Sequence, residues 1–166
     1  ATTLLGGFFG SIAIVTVAFT EQRGQESKSG LLLAIWAFGS GIAAIINGTI
    51  KWKLSSASRF LIFLFALTAL SVPMLFTHTL GWLAVALFFN GFAVAPLVIN
   101  AYGVAEGAVP PEQITETLTW VVAGMPMGGA IASALSGQII DRFGSDIAYW
   151  VPLGFMIAAF AATLPY

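Results

Sequence analysis

The chain has 166 residues, of which 58% are hydrophobic and only 8% are charged, and its formal net charge is −1. A soluble domain carries about 25% charged residues, so this composition excludes an ordinary globular enzyme, a disordered chain and a nucleic-acid-binding protein. Cysteine is absent and histidine occurs once, which leaves no basis for a zinc or multi-histidine site. We therefore expect no catalytic residue, no metal ion and no cofactor.

Six apolar segments follow one another along the chain, and each is close to the roughly 20 residues that a membrane-spanning helix needs. The six Lys and Arg and the seven Asp and Glu all lie between these segments or at their ends. The sequence therefore predicts an all-α polytopic membrane protein, a single six-helix domain over residues 1–166 embedded in a lipid bilayer. The predicted helices I to VI cover residues 3–20, 30–50, 60–76, 80–105, 117–140 and 147–164.

Predicted helices II and V align with each other without gaps, and small residues coincide. This is the pattern of two three-helix units that repeat with inverted topology. We therefore predict a three-plus-three inverted repeat. The aligned pairs are Gly39 with Gly128, Ser40 with Gly129, Ala44 with Ser133, and Gly48 with Gly137.

Small residues recur at helical spacing on helices II and V, and such positions allow another helix to approach closely. The contact could be static packing or a surface that slides during a conformational change. A catalytic serine is not indicated, because Phe38 and Ile42 stand where a nucleophile elbow around Ser40 requires glycine. The predicted helix-packing residues are Gly39, Gly41, Gly48, Gly124, Gly128, Gly129, Ser133 and Gly137.

Polar and aromatic side chains within the spans are candidates for lining a cavity. Asn90 lies near the centre of helix IV, where an amide must find a partner. It either faces a wet cavity or forms an interhelical hydrogen bond. Trp36 and Trp120 either stack on a bound molecule or belong to the interfacial aromatic belt. The candidate cavity residues are Trp36, Ser40, Asn90, Asn100, Trp120 and Met125.

Two stretches carry a resemblance to a known family. Residues 30–41, followed by Gly48 and a basic loop, resemble the eighth helix of major facilitator superfamily transporters. Residues 106–112, with a Gly-rich helix that closes on residues 137–144, are similar to the family's tenth-to-eleventh connection and its eleventh helix. The resemblance covers essentially the whole chain, as the C-terminal six-helix half of such a transporter.

The resemblance implies a secondary transporter rather than an enzyme, a multi-pass protein of the cell membrane that works by alternating access. Its partner would be an N-terminal half on the same or a separate chain. The spans offer amides, hydroxyls and aromatic rings but no fixed charge, which favours a small neutral or amphipathic solute. The alternative is a non-transporting six-helix subunit of a larger membrane complex. We expect the chain to be an internal part of something longer, since no signal peptide precedes the first helix.

Charged residues at one membrane face form a candidate gate. Lys51 and Arg59 lie between helices II and III, and Glu106 follows helix IV. Two spans separate these loops, so both are on the same side, which the resemblance makes cytoplasmic. The resemblance also suggests an ion pair, with Arg59 as the better partner because its planar guanidinium binds a carboxylate at two points. Alternatively, both groups are simply solvated.

Overall fold

A computed structural model describes residues 2–163, and over this range the chain is helical with no strand. Three short 3₁₀ segments, Glu26–Lys28, Val72–Phe76 and Pro111–Gln113, connect or extend the α-helices. The α-helices are α1 Thr2–Glu21, α2 Ser29–Thr49, α3 Ser56–Ser71, α4 Leu80–Gly107, α5 Ile114–Phe143, α6 Ser145–Ala148 and α7 Trp150–Thr163.

The described residues include six helices long and apolar enough to cross a membrane, the sixth being Ser145–Thr163, which combines α6 and α7. The prediction of an all-α protein with six spans is therefore confirmed. The predicted third helix ends its α-helical part at Ser71 and continues as a 3₁₀ segment through Pro73, which has no N–H to donate. The predicted end of the sixth helix, Leu164, lies outside the described residues.

Short polar residues and glycine set several helix ends. The Ser55 hydroxyl accepts a hydrogen bond from the backbone N–H of Ser58 at 3.2 Å, which caps the start of α3. Thr79 does the same for α4 through the backbone N–H of Trp82 at 3.3 Å. At the end of α5, Gly144 takes a φ of 87°, a left-handed conformation that favours glycine. The chain then turns directly into α6.

The helices pair in a regular order around an apolar core. The most extensive pairings are α1 with α5 and α2 with α4. Next, α3 packs against α4 and α1 against α7, and α3 meets α7. Helices α1 and α4 carry more buried side chains than the other helices, among them Phe8, Ile12, Leu87 and Leu97. These two helices thus form the centre of the bundle, and α2 and α5 flank them with one face each exposed.

Candidate functional site

Asn90 connects three helices through its side-chain amide. Its Oδ1 accepts a hydrogen bond from Trp36 Nε1 of α2 at 3.0 Å. Its Nδ2 donates to the Ser71 hydroxyl at 3.1 Å and to the Leu67 carbonyl at 3.5 Å, both on α3. The side chain is fully buried. An amide with all of its groups paired in this way fixes the relative positions of α2, α3 and α4.

Asn90 and Asn100, both candidate cavity residues, are buried in this conformation. Asn90 takes the interhelical alternative, because its partners Trp36 and Ser71 enclose it. Asn100 is 1% exposed, and its Nδ2 donates to the Pro96 carbonyl of the same helix at 2.7 Å. The Asn90 amide is thus satisfied inside the bundle, whereas the Asn100 side chain makes one hydrogen bond, to its own helix.

The two candidate tryptophans have different surroundings. Trp36 is half-buried and packs against the rings of Phe8 and Phe9 of α1, at centroid distances of 6.4 and 5.9 Å. Its N–H is engaged by Asn90, so Trp36 belongs to the bundle interior rather than to an interfacial belt. Trp120 lies near the start of α5 with 72% of its surface exposed.

Helices α1 and α5 cross with almost no space between their backbones. At Gly6, an added Cβ would overlap the backbone carbonyl of Met125. At Gly128, an added Cβ would overlap the carbonyl of Thr3. Each glycine therefore lies against a carbonyl of the opposite helix. On that helix the residue with the carbonyl precedes the second glycine by three positions, as Met125 precedes Gly128 and Thr3 precedes Gly6. Met125, a candidate cavity residue, is half-buried at this crossing.

Helices α2 and α4 cross in the same manner. An added Cβ at Gly39 would overlap the carbonyl of Phe88, and one at Gly91 would overlap the carbonyl of Trp36. The backbone N of Ser40 would also lie 3.0 Å from a Cβ at Gly91. The half-buried candidate Ser40 is thus part of this crossing.

The remaining predicted packing residues divide into two groups. A Cβ at Gly124 would lie 3.0 Å from the Thr2 hydroxyl, and one at Gly129 would make only ordinary contact with Gly6 at 3.5 Å. Ser133 is half-buried on α5. By contrast, a Cβ at Gly41, Gly48 or Gly137 would meet nothing within 4 Å. No other described helix contacts these three positions, and their packing role stays a prediction.

The gate pair predicted between Glu106 and Arg59 is not formed. The guanidinium of Arg59 instead donates to the Ser56 hydroxyl at 3.3 Å and lies 5.8 Å from the ring of Trp52. Glu106 is exposed, and so is Lys51. The helix ends are nevertheless neighbours, because a Cβ at Gly103 would lie 3.0 Å from the Ser56 hydroxyl.

A polar junction that the sequence did not predict lies at the opposite membrane face. Arg23 forms an ion pair with Asp146 at 3.1 Å and stacks 3.6 Å above the ring of Phe19. The Gln22 side-chain oxygen accepts hydrogen bonds from the backbone N–H and the hydroxyl of Ser145, at 3.1 and 2.8 Å. The end of α1 is thereby fastened to the start of α6. Sequence reasoning missed the junction because its partners are 123 residues apart; the only local signal was Gly144 beside them.

Ionisable side chains are sparse and scattered among the described residues. No group of three or more His, Asp or Glu lies close enough together in this part of the chain to hold a metal ion. Hydroxyl groups inside the spans largely bond to their own helix, as Ser11 and Thr68 do. The described interior thus consists mainly of aromatic rings, a few amides and close helix crossings.

Comparison with known proteins identifies a family. No curated protein and no solved structure matches the chain significantly. Residues 1–166 do match the family described as the Major Facilitator Superfamily. Members of this family are membrane transporters, not enzymes, and the six apolar helices agree with a multi-pass membrane protein. The match extends over the whole sequence, and the chain therefore belongs to the Major Facilitator Superfamily of membrane transporters.

Proposed function

We propose that this chain is one six-helix half of a secondary transporter, which moves a small neutral or amphipathic solute across the cell membrane by alternating access. The second half, on the same or a separate chain, would complete the pathway. The observation that carries the proposal is the match to the transporter family over all of residues 1–166, together with the six membrane-spanning helices found within residues 2–163. In transporters built from two such halves, the solute site lies between them.

An inverted repeat within this half is part of the proposal, and the two glycine crossings support it. On α2 and α5, Gly39 and Gly128 lie 89 residues apart, and so do Trp36 and Met125. The carbonyl of Trp36 faces Gly91 of α4, and the carbonyl of Met125 faces Gly6 of α1. On α1 and α4, Gly6 and Gly91 lie 85 residues apart, and so do Thr3 and Phe88. The carbonyl of Thr3 faces Gly128, and the carbonyl of Phe88 faces Gly39. Exchanging α1 with α4 and α2 with α5 thus maps one crossing onto the other.

The surface that meets the second half would include the exposed face of α2. Ala34, Phe38, Gly41, Ile45 and Gly48 recur at alternating spacings of four and three residues, and all five are exposed. A lipid-facing helix has no need of glycine, whereas a closely approaching helix does. The glycines that meet nothing inside this chain therefore fit a contact with another six-helix unit.

The solute pathway would run past side chains that keep partial or full exposure. Trp36, Ser40 and Met125 are half-buried at the two crossings, and Trp120 is exposed on α5. Aromatic and thioether groups suit an amphipathic molecule without fixed charge. Asn90 would act as a positioning residue, because its amide holds the indole of Trp36.

The gate would use Arg59 and Glu106 in a conformation other than the present one. Gly103 lies beside Ser56, and Glu106 follows Gly103 by about one helical turn. Arg59 already has one buried donor, Nε, without a hydrogen-bond partner. In that other conformation the Glu106 carboxylate would accept from this donor, while Lys51 would add positive charge to the same face.

Transport by the complete protein tests the proposal directly. The full-length polypeptide would be purified, reconstituted into liposomes and assayed for uptake of radiolabelled neutral and amphipathic solutes. We expect saturable uptake that is lost when either half is omitted, and a native mass about twice that of a six-helix half if both are on one chain. Stable co-purification with unrelated membrane subunits, without uptake of any solute, would instead support a non-transporting subunit.

A further inference from the structure

A cavity of about 300 Å³ opens between α2, α3 and α4. Helices α2 and α3 both pack extensively against α4, but they scarcely contact each other. Ala93 and Pro96 of α4 form the floor of the resulting groove, and Ala43 of α2 and Ala66 of α3 stand in its walls. The lining is apolar apart from Asn47 and Trp52. We call this space the α2–α3 groove.

Asn47 places an unpartnered amide oxygen beside this apolar space. The residue is only 8% exposed, and its Oδ1 has no hydrogen-bond partner. Trp52 Nε1 donates to the main-chain carbonyl of Asn47 at 3.2 Å and not to the Asn47 side-chain oxygen. Buried polar atoms in native proteins are nearly always paired, so such an atom next to a cavity indicates a partner that the chain does not itself supply.

The corresponding position in the other three-helix unit behaves differently. Ser136 lies 89 residues after Asn47 and also has a buried hydroxyl without a partner. A cavity of about 380 Å³ lies nearby, lined by Ile139, Gly154 and Ala158 among others, but Ser136 does not line it. An unpartnered polar side chain and a cavity therefore coincide in the α2–α3 groove and not in its counterpart.

Positive charge stands at the open end of the groove. Lys51 and Lys53 are exposed and flank Trp52 just after α2 ends at Thr49. Residues 50–59 contain no Asp or Glu. Asn47 lies in the last turn of α2, four residues before Lys51. The groove thus combines, from its mouth inward, two cations, an interfacial tryptophan, one amide and an apolar channel.

We propose that the α2–α3 groove binds one anionic phospholipid of the surrounding bilayer. An acyl chain lies along the α4 floor, the phosphate lies between Lys51 and Lys53, and a hydroxyl of the head group, such as phosphatidylglycerol carries, donates to Asn47 Oδ1. Basic clusters at the membrane surface attract anionic headgroups, and the apolar groove accommodates a chain that would otherwise be in the bilayer. The inference concerns lipid binding alone and is independent of which solute is transported.

Native mass spectrometry of the delipidated full-length protein tests this inference. The protein is mixed with phosphatidylglycerol or phosphatidylcholine of identical acyl chains, and retained lipid is measured. We expect phosphatidylglycerol to be retained preferentially, and the double variant Lys51→Gln, Lys53→Gln to lose roughly a factor of ten in this preference. Ala66→Phe should fill the groove and abolish retention. The matched control Ala158→Phe, in the counterpart cavity, should leave retention unchanged.

Folding of each variant is checked by circular dichroism and size-exclusion chromatography. If Ala66→Phe does not fold, Asn47→Leu replaces it. Leucine keeps roughly the volume of the side chain but removes the unpartnered amide. This variant should fold with unchanged helix content and retain less lipid. Equal retention of both lipids by the unmodified protein would overturn the proposal. Unchanged retention in a folded groove variant would overturn it equally.

Discussion

Gly39 of α2 and Gly128 of α5 occupy equivalent places in two helix crossings. Each glycine lies against a backbone carbonyl of its partner helix, Phe88 for Gly39 and Thr3 for Gly128. In each crossing a second glycine follows the residue with that carbonyl by three positions, Gly91 in one case and Gly6 in the other. These two glycines lie against carbonyls of α2 and α5, respectively. The two crossings therefore have the same construction, and they join the central helices α1 and α4 to the flanking helices α5 and α2.

The glycine crossings lead to a prediction about stability. Gly39→Ala and Gly128→Ala should each lower the free energy of unfolding by about 1–3 kcal/mol, because the new Cβ overlaps backbone atoms that cannot rotate away. Gly81→Ala and Gly154→Ala are matched controls, since a Cβ there meets nothing within 4 Å. The controls should be neutral or slightly stabilising because alanine favours helix. Unfolding in a denaturing-detergent titration measures the four values, and equal losses in both groups would contradict the assignment.

The Trp36–Asn90 hydrogen bond leads to a second prediction. Asn90→Leu should cost about 1–3 kcal/mol, because it leaves the Trp36 N–H without its acceptor and removes a donor from the Ser71 hydroxyl, which keeps its own bond to the Leu67 carbonyl. Trp36→Phe removes the N–H, so the double variant should lose less stability than the two single variants added together. Trp120→Phe, at an exposed tryptophan, should show no coupling to Asn90→Leu. Additive losses for Trp36 and Asn90 would mean that the bond contributes nothing.

The junction between α1 and α6 leads to a third prediction, about the ranking of two changes. Asp146→Asn should cost only about 0–1 kcal/mol, because 62% of the aspartate side chain is exposed. Gln22→Ala should cost more, since it leaves the fully buried Ser145 hydroxyl without its acceptor. Thermal unfolding in detergent at low and high salt separates them, and only the Asp146 effect should shrink as salt rises. The reverse ranking would show that the ion pair, not the Gln22 contact, fastens the helices.

The proposed gate gives a prediction about transport. Glu106→Gln and Arg59→Gln should each change the transport rate of the complete protein, and the double variant should resemble one single variant rather than their product. Lys53→Gln serves as the matched control for Arg59→Gln, because Lys53 is an exposed cation of the same loop. Lys53→Gln and Glu106→Gln should combine multiplicatively. If the Arg59 and Glu106 effects also multiply, the two residues do not share a gate.

The candidate site was only partly predictable, and the reason lies in the range of the interactions. The sequence aligned Gly39 with Gly128 by similarity between two segments, and each of these two glycines faces a carbonyl across a helix crossing. The spacing could not reveal that Gly41 and Gly137 face open space, since all four glycines look alike in sequence. Asn90 illustrates the same limit: the need for a partner followed from its depth in the membrane, whereas the choice between water and Trp36 depended on where α2 lies.

The sequence by itself determined that this protein is a helical membrane protein with six spans. An apolar segment in lipid must satisfy its backbone within one helix, so composition and segment length leave little choice. Only the tertiary structure decided which helices cross, which amides are enclosed, and that Arg23 pairs with Asp146 while Arg59 does not pair with Glu106. These outcomes depend on contacts between residues far apart in sequence. If one helix shifted by a turn along its neighbour, each of its side chains would meet a different partner, and the local sequence pattern does not fix that position.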